Sequence, residues 1–189
     1  IQPVHTFQDE RTNITFYDGV RVPDSYRLGA IDGGVKTMSA GLELEHGGGF
    51  SKSMRAMLAN AEALCRRIRH NGRALIEDTS AQVRLARTAA NLLVSDMLTS
   101  RAQWVIAERK PNLASAPMAT MFSSEKFQED ARDLLDLTAP WSLADREGPA
   151  GALNMAYRHS QATTIYGGTS EVHRSMIAER GLGLPRTRA

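Results

Sequence analysis

The sequence has one cysteine and no long apolar run, and each scarcity excludes a class of protein. Of 189 residues only Cys65 carries a thiol, so a disulfide framework within the chain is excluded and a reducing compartment is expected. No stretch approaches the roughly 18 consecutive apolar residues that a membrane-spanning helix needs. A positively charged start followed by an apolar run is also missing, so no signal peptide is expected in this sequence.

Positive and negative charges are also nearly balanced. The chain has 23 Lys and Arg against 21 Asp and Glu, which gives a formal net charge of +2, and the two signs are mixed along it. This distribution is unlike the basic stripe of a nucleic-acid-binding protein, so no nucleic-acid partner is expected. The histidines have no paired metal-ligand spacing and no cysteine joins them, so no metal site is expected.

Apolar alternation predicts a short β segment near the start of the chain. Between residues 6 and 23 the side chains that recur at period two are Thr12, Ile14, Phe16 and Val20, and residues 17–20 carry a turn signal. Beyond residue 32 the spacing changes, because apolar residues from Phe50 to Ile68 recur at the period of a helix. We therefore expect a long amphipathic helix after the strands.

Three further bundle helices and a short terminal helix are predicted beyond Asn71-Gly72. Thr79 and Gln82 resemble a capping box for the second long helix, whose apolar face continues to Val105. A third helical pattern covers residues 118–135, and a fourth covers residues 153–162 after a loop at 138–151. Thr169 is a candidate N-cap for a short terminal helix. The predicted fold is mainly α: a short β segment, then an antiparallel four-helix bundle with a short terminal helix.

Two glycine-rich segments are candidates for a functional site. Gly47, Gly48 and Gly49 would each cost about 1 kcal/mol inside a helix relative to alanine, so they indicate either close approach of a ligand or an ordinary helix break. The preceding Glu43 and Glu45 lie on nearly opposite faces of a helix, so at most one points into a shared pocket. Spacing alone does not choose between them, and either is equally interpreted as a solvated surface group.

The second segment is the junction Ile165–Glu171 (IYGGTSE), where a glycine turn leads into a capped helix. Free backbone N–H groups at such a start can bind a phosphate or the edge of a flavin. A plain connection between a loop and a helix is the alternative interpretation. The basic cluster Arg66, Arg67, Arg69 and Arg73 has the same two interpretations, a phosphate site or a solvated helix end.

Long strings at both ends of the chain resemble the acyl-CoA dehydrogenase family. Ile165–Arg174 (IYGGTSEVHR) and Ile177–Arg186 (IAERGLGLPR) resemble its C-terminal signature. Val20–Pro23 (VRVP) and Leu42–Gly48 (LELEHGG) are similar to its passage from the middle β domain into the C-terminal helices. The resemblance brackets almost the whole chain and implies that residues 1–30 end a middle β domain and residues 31–189 form the helical bundle domain.

The resemblance also implies an activity and its partners. Members of this family remove two hydrogens from an acyl-CoA thioester: a glutamate takes the α-proton and a hydride leaves the β-carbon for the flavin N5 of FAD. The implied partners are an acyl-CoA substrate, an electron-transfer acceptor and further subunits of a homo- or hetero-oligomer. A cytoplasmic role in fatty-acid or sterol side-chain breakdown is expected. Most of the family's length is absent from these residues, so this chain alone is expected to be inactive.

Site residues follow from the resemblance position by position. Many members carry the base one residue before the Gly-Thr of the terminal signature, where this chain has Gly167. Another branch carries it on the first bundle helix, at a position that matches Glu45. Glu45 is therefore the expected base. His46 and Gly168 are expected at the substrate, and the residues expected at FAD are Thr169, Ser170, Glu171 and Arg69.

The chain departs from the family at two cofactor-contacting elements. The Arg-x-x-Phe-Gly element appears as Arg67–Gly72 (RIRHNG), without the phenylalanine. A divergent loop at Trp141–Gly151 replaces the Gln-x-x-Gly-Gly-x-Gly element. These departures leave a second hypothesis open, in which the chain is a non-catalytic subunit of a hetero-oligomeric acyl-CoA dehydrogenase.

Overall fold

A computed structural model of the chain describes residues 1–8, 10–45, 49–108, 110, 114–144 and 146–186, and the side chains at positions 40 and 42–45 are outside that description. The chain begins with an antiparallel hairpin of β1 (Gln2–His5) and β2 (Arg11–Ile14), in which Gln2 lies opposite Ile14. The prediction that the chain begins with β-strands is therefore confirmed. Its range is wrong, because pairing starts before residue 6 and, among the described residues, no strand continues beyond Ile14.

Helix α1 (Gly34–Glu45) follows a single 3-10 turn at Asp24–Tyr26. Its described apolar side chains face outward, with Val35 75% and Met38 60% exposed. Since an amphipathic helix gains most of its stability from burying such a face, α1 presents a surface suited to packing against something else.

Helix α2 (Ser51–Arg67) is the predicted first amphipathic helix. Its buried residues recur at spacings of three and four: Met54, Met57, Ala61, Leu64 and Cys65. The helix ends at a second hairpin, β3 (Arg69–His70) with β4 (Arg73–Ala74). Asn71 and Gly72 form its two-residue turn with φ of 50° and 80°, the positive values that favour Asn-Gly in such turns.

The N-cap of helix α3 (Thr79–Ala107) lies one residue before the predicted cap, Thr79. The N-cap is Asp78, whose carboxylate accepts from the backbone N–H groups of Ser80 and Ala81. The predicted Thr79–Gln82 capping box is wrong, because Gln82 donates instead to the carbonyl of Ile76 at 3.1 Å. An aspartate accepts two backbone donors at once and carries the charge that a helix N-terminus favours.

The remaining helices are α4 (Ser115–Leu137), α5 (Trp141–Ala144), α6 (Gly148–Thr163) and α7 (Ser170–Met176), with a π-helical turn at Ile177–Gly181. The prediction of a loop throughout 138–151 is wrong. It contains α5 and the first turn of α6, in which Pro149 is tolerated because the first helical N–H groups have no intrahelical partner. The predicted N-cap Thr169 is confirmed, because its hydroxyl accepts from the N–H of Val172 at 3.3 Å.

Helix α4 lies at the centre of the bundle and packs against α2, α3, α6 and α7. Successive long helices run antiparallel: Arg84 near the start of α3 pairs with Asp133 near the end of α4, and Gln128 of α4 bonds Gln161 near the end of α6. The main core is formed by the buried side chains Met54, Met57, Ala61, Leu64, Cys65, Ile68, Leu85, Leu92, Phe127, Ala131, Leu134, Leu135, Ala150 and Leu153. The predicted antiparallel four-helix bundle is confirmed.

The described residues contain no helix that combines the length and apolarity needed to cross a bilayer. They also contain no group of three His, Cys, Asp or Glu side chains placed to hold a metal ion.

A buried carboxylate joins α3 to α4. Asp130 is 2% exposed, and the amide of Asn91 donates to its two oxygens at 3.0 and 3.1 Å. Burial raises the pKa of Asp130 to about 6, a rise that the Asn91 hydrogen bond reduces only in part. Nearby Glu129 raises the pKa further and Lys126 lowers it. The folded protein therefore binds a proton at Asp130 more tightly than the unfolded chain does.

We predict that Asp130→Asn flattens the pH dependence of stability. An unfolded aspartate has a pKa of about 3.9, so this group lowers stability as pH rises from about 4 to about 6, and the loss stays constant above that. At pH 7.5 the variant should be more stable by about 1–3 kcal/mol, and at pH 4 its stability should match the parent. Urea denaturation across pH measures this. Glu129→Gln, on the exposed side, should change stability by less than about 0.5 kcal/mol, and an equal gain for Asp130→Asn at both pH values would contradict the prediction.

Candidate functional site

Two candidate segments that are far apart in sequence meet through Phe50 and Tyr166. Phe50 immediately precedes α2, five residues after Glu45, and Tyr166 lies three residues before Thr169. The ring centroids of Phe50 and Tyr166 are 5.9 Å apart in an edge-to-face arrangement, a favoured aromatic geometry. The chain that follows Glu45 and the loop that leads into Thr169 therefore lie at the same end of the bundle.

Phe127 of α4 packs against the Phe50–Tyr166 pair on the core side, through the ring of Phe50. Its ring is 1% exposed and lies 6.3 Å from the ring of Phe50 in a stacked arrangement. The backbone N–H of Phe50 donates to the hydroxyl of Ser123 at 3.2 Å, and that hydroxyl donates to the carbonyl of Thr120. Both the backbone and the side chain of Phe50 are thus fixed to α4.

Gly49 is fitted closely against α3 and α4. It has φ of 53°, and a Cβ atom built on it would lie 2.7 Å from Oγ1 of Thr99 and 3.4 Å from Oγ of Ser123. Real Cβ atoms do not approach another heavy atom that closely, and a left-handed backbone also disfavours any residue with a side chain. Of the predicted glycine run, Gly49 is required by close packing; His46, Gly47 and Gly48 lie outside the described residues.

A chain of polar contacts connects Tyr166 to the N-terminal segment. The hydroxyl of Tyr166 lies 3.2 Å from Nε2 of His159, and Nδ1 of His159 lies 3.1 Å from a carboxylate oxygen of Glu10. Burial, and then the charge of Glu10, raise the pKa of Tyr166, so the tyrosine keeps its proton. His159 thus shares one hydrogen bond with the Tyr166 hydroxyl through Nε2 and another with the Glu10 carboxylate through Nδ1. These contacts hold Tyr166 in place beside the glycine turn.

The glycine turn itself is open on one side. Gly167 and Gly168 have φ of 70° and 104°, and a Cβ atom on Gly167 would meet nothing within 4 Å. The backbone of this turn is therefore accessible to a ligand. Gly167 needs glycine for its backbone conformation, whereas Gly49 needs it for conformation and space together.

The side chains of residues 169–171 differ in whether they already have hydrogen-bond partners. The pKa of Glu171 is lowered by a hydrogen bond from its own backbone N–H and then by the hydroxyl of Thr169, with a smaller contribution from Arg174. Thr169 and Glu171 are therefore engaged within the turn. Ser170 is 7% exposed, and its hydroxyl has no hydrogen-bond partner among the described residues. A buried hydroxyl without a partner is rare and marks a position where a bound group can complete the bonding.

Arg69 does not join these residues within one chain. It is exposed on the hairpin at the far end of α2, and this helix of 17 residues is about 25 Å long. The structure thus brings together Phe50 and Tyr166 and leaves Arg69 at the opposite end of α2. Glu45 ends α1, and its side chain lies outside the described residues.

An apolar groove that the sequence did not predict lies beside His159. It has a volume of about 350 Å³, between α2 and α6. Its lining includes Ala56, Met57, Phe127 and Ala156, with Glu10 and His159 on the polar side.

Comparison with known proteins agrees with this architecture. The model of the acyl-CoA dehydrogenase C-terminal domain matches residues 33–182, which is most of the chain. The chain therefore belongs to the acyl-CoA dehydrogenase family. Acyl-CoA dehydrogenase FadE26 of Mycobacterium tuberculosis is 28% identical over 203 residues, covering 97% of this chain and 48% of that protein.

Two solved assemblies have the same fold over nearly the whole chain. The ChsE4-ChsE5 complex from Mycobacterium tuberculosis matches with a TM-score of 0.85 at 28% identity, covering 99% of this chain and 49% of the matched chain. The Tcur3481-Tcur3483 steroid acyl-CoA dehydrogenase matches with a TM-score of 0.87 at 27% identity, covering 98% and 49%. The chain spans about half the length of the relatives it matches.

We predict that Gly49→Ala destabilises the protein more than Gly167→Ala does. Both substitutions place alanine at positive φ, at a cost of about 1 kcal/mol, but only position 49 adds a steric clash, worth about 1–3 kcal/mol more. Thermal and urea denaturation of the variants measure the difference. Removing the clashing atom in the double variant Gly49→Ala/Thr99→Ala should restore part of the loss, and equal costs at positions 49 and 167 would contradict the packing described.

Proposed function

We propose that the protein containing this domain catalyses FAD-dependent α,β-dehydrogenation of an acyl-CoA thioester, with Glu45 as the base. The observation that supports the proposal is the Phe50–Tyr166 contact, because Phe50 lies five residues after Glu45 in sequence and Tyr166 adjoins the open glycine turn. Family membership supports the reaction class. In this assignment residues 1–30 end a middle β domain and residues 31–189 form the helical domain.

Position 167, which matches one position of the base in the family, is a glycine and has no side chain to accept a proton. Glu45 is proposed because it matches the other position of the base, on the first bundle helix. In the proposed reaction the Glu45 carboxylate takes a proton from the carbon next to the thioester carbonyl. His46 and Gly168 are proposed to contact the substrate.

The described residues fit a flavin at the glycine turn in one specific respect. FAD, when bound, supplies the acceptor for the hydride that leaves the β-carbon. The buried Ser170 hydroxyl lacks a partner, and the open side of Gly167 leaves the backbone accessible. Thr169 and Glu171 are proposed to hold the turn in shape beside the flavin, since they already bond to each other.

Arg69 has a different proposed role. Its position about 25 Å along α2 from the turn is too far for both to contact the same part of FAD within one subunit. We assign it to a phosphate of FAD bound by a neighbouring subunit in a homo- or hetero-oligomer. Two similar solved structures, ChsE4-ChsE5 and Tcur3481-Tcur3483, each have two named components, which supports an oligomer.

A steroid-derived acyl-CoA is the proposed substrate class. The support is the similarity to the Tcur3481-Tcur3483 protein, a steroid acyl-CoA dehydrogenase that is 27% identical over 98% of this chain. Electrons would pass from the flavin to an electron-transfer acceptor, and the proposed location is the cytoplasm.

The second candidate is a non-catalytic subunit of a hetero-oligomeric acyl-CoA dehydrogenase. The observation that favours it is the divergent loop after α5. A Cβ atom on Gly151 would lie 2.1 Å from the carbonyl oxygen of Arg146, so this glycine is required by the loop itself rather than by a ligand. Absence of flavin in the purified full-length oligomer, together with unchanged activity when Glu45 is replaced, would favour this candidate.

We predict that Glu45→Gln in the full-length protein abolishes flavin bleaching by acyl-CoA. A glutamine keeps the size of the side chain but cannot accept the α-proton, so the reduction rate under anaerobic conditions should fall by more than about a thousandfold. Stopped-flow absorbance with steroid-CoA and straight-chain acyl-CoA thioesters measures both the base and the substrate class. Glu43→Gln is the matched control and should bleach at the parent rate; bleaching that persists in Glu45→Gln would reject the assignment.

We predict that Ser170→Ala weakens FAD binding without destabilising the flavin-free protein. One lost hydrogen bond to the flavin corresponds to roughly a three- to tenfold weaker Kd, whereas the hydroxyl makes no bond in the described part of the protein. Fluorescence titration with FAD and urea denaturation measure the two effects. Ser160→Ala is the control, because that hydroxyl donates to the Tyr157 carbonyl at 2.7 Å, so stability should fall while FAD affinity holds.

A further inference from the structure

The N-terminal hairpin holds Glu10 in a defined position beside the bundle. The backbone N–H and the hydroxyl of Thr6 both donate to the backbone carbonyl of Glu10, each at 3.0 Å. These bonds join the residue that directly follows β1 to the residue that directly precedes β2. The same segment contacts α6, because the guanidinium of Arg158 donates to the carbonyl of Phe7 at 3.4 Å. The carboxylate of Glu10 is therefore presented to α6 from a closed loop.

His159 lies on the other side of this contact and is held by the core. Its ring centroid is 6.1 Å from that of the buried Phe127. Nδ1 of His159 is 3.1 Å from the Glu10 carboxylate, and Nε2 is 3.2 Å from the Tyr166 hydroxyl. Because the two nitrogens of an imidazole point in different directions, one side chain connects the N-terminal segment to the loop after α6. We name the three residues Glu10, His159 and Tyr166 the Glu10 network.

The glycine turn is held on both sides of its two glycines. Before them, Tyr166 is held by its hydroxyl and by the contact of its ring with Phe50. After them, the backbone N–H of Ser170 donates to the carbonyl of Thr164 at 3.2 Å. The two glycines lie between these points at positive φ, and glycine has the widest choice of backbone conformations of any residue. The conformation of the turn therefore depends on where Tyr166 is held.

The contact between Glu10 and His159 contributes to position more than to stability. The side chain of Glu10 is 59% exposed and that of His159 is 25% exposed. Water and salt screen ion pairs at such positions, so they stabilise a fold only weakly. A hydrogen bond nevertheless restricts distance and angle, and here it fixes the imidazole that bonds to Tyr166. Loss of the Glu10 carboxylate should therefore loosen the turn without unfolding the bundle.

We propose that Glu10 and His159 are positioning residues for the glycine turn, through which the N-terminal β segment holds residues 167–170 in the conformation that binds FAD. Both act through Tyr166 and not by touching the flavin. The inference deepens the proposed function and rests on it in one respect, namely that this turn binds FAD. The β segment and the helical bundle then act together on one cofactor-binding loop.

Hydrogen exchange in the flavin-free, full-length protein tests the positioning directly. Glu10→Ala should raise the exchange rates of the backbone amides of residues 167–170 by at least about threefold, while the urea midpoint of global unfolding stays the same. Asp24→Ala is the matched control, because it removes a carboxylate of the same segment that pairs with Arg27 at 2.8 Å. It should leave exchange in the turn unchanged. Equal exchange in Glu10→Ala and the parent would overturn the proposal, whether or not FAD binds.

A conservative variant separates positioning from a general loss of structure. The amide of a glutamine can donate or accept a hydrogen bond at Nδ1 of His159, so Glu10→Gln should keep the parent exchange rates and the parent Kd for FAD. A Glu10→Gln protein that behaves like Glu10→Ala would contradict positioning by this hydrogen bond.

FAD binding to a double variant tests whether the network acts as a unit. Tyr166→Phe removes the hydroxyl and keeps the ring that contacts Phe50. Glu10→Ala and Tyr166→Phe should each raise the Kd for FAD about three- to tenfold, measured by fluorescence titration. The double variant should bind no more weakly than the weaker of the two, since both changes break one network. Effects that multiply in the double variant would reject the network.

The two measurements distinguish failure of this inference from failure of the proposed function. A parent protein that binds no FAD would reject the proposed role of the turn, and hydrogen exchange would still decide whether the Glu10 network positions it. A parent that binds FAD, with Glu10→Ala equal to it in both measurements, would reject the network and leave the proposed function in place.

Discussion

The burial of Phe127 on the central helix is the constraint on which the rest of the structure depends. Its ring is almost fully removed from water, and it lies within the core formed by α2, α4 and α6. Replacing a buried phenylalanine by alanine typically costs about 3–5 kcal/mol, a large share of the stability of a domain. Because Phe50 stacks on this ring and His159 packs 6.1 Å from it, the same burial that stabilises the bundle also fixes both segments of the candidate site.

The site is therefore a product of packing and not of local sequence. Phe50 and Tyr166 are separated by more than a hundred residues, yet each is held by α4 or α6, whose relative position is set by the core. Ser123 adds a backbone anchor and His159 adds a side-chain anchor. These two anchors fix the positions of Phe50 and Tyr166 relative to the central helix.

Much of the fold could be predicted from periodicity, since the buried positions of α2 and the apolar face of α4 recur at helical spacing. The Asp78 cap and the helix α5 were missed because local signals of similar strength compete at those positions. The Thr169 cap was predicted correctly because a glycine turn and a helical pattern agree there. The Phe50, Ser123 and His159 contacts could not be predicted, because no pattern in one sequence reports which residues meet across helices.

The resemblance to the family singled out residues that periodicity could not, including Glu45 and Ser170. It did not show how far apart in space these residues lie. It grouped Arg69 with Thr169 as contacts of one cofactor, whereas the length of α2 separates them within a chain. That separation places the two residues near opposite ends of α2, so they do not contact the same part of FAD within one subunit. Family patterns give positions along a chain, and only a fold distinguishes contacts made within a subunit from contacts made between subunits.

The outward-facing apolar residues before α2 affect the solubility of the isolated domain. Phe7, Phe16, Tyr17, Leu28 and Ile31 are each more than 60% exposed, in a stretch with little regular structure to shield them. When these residues are produced by themselves at high concentration, their apolar surface favours non-specific clustering, which sulfate and other salting-out ions would strengthen. Solubility of the isolated domain is therefore expected to depend on salt type more than its folding does.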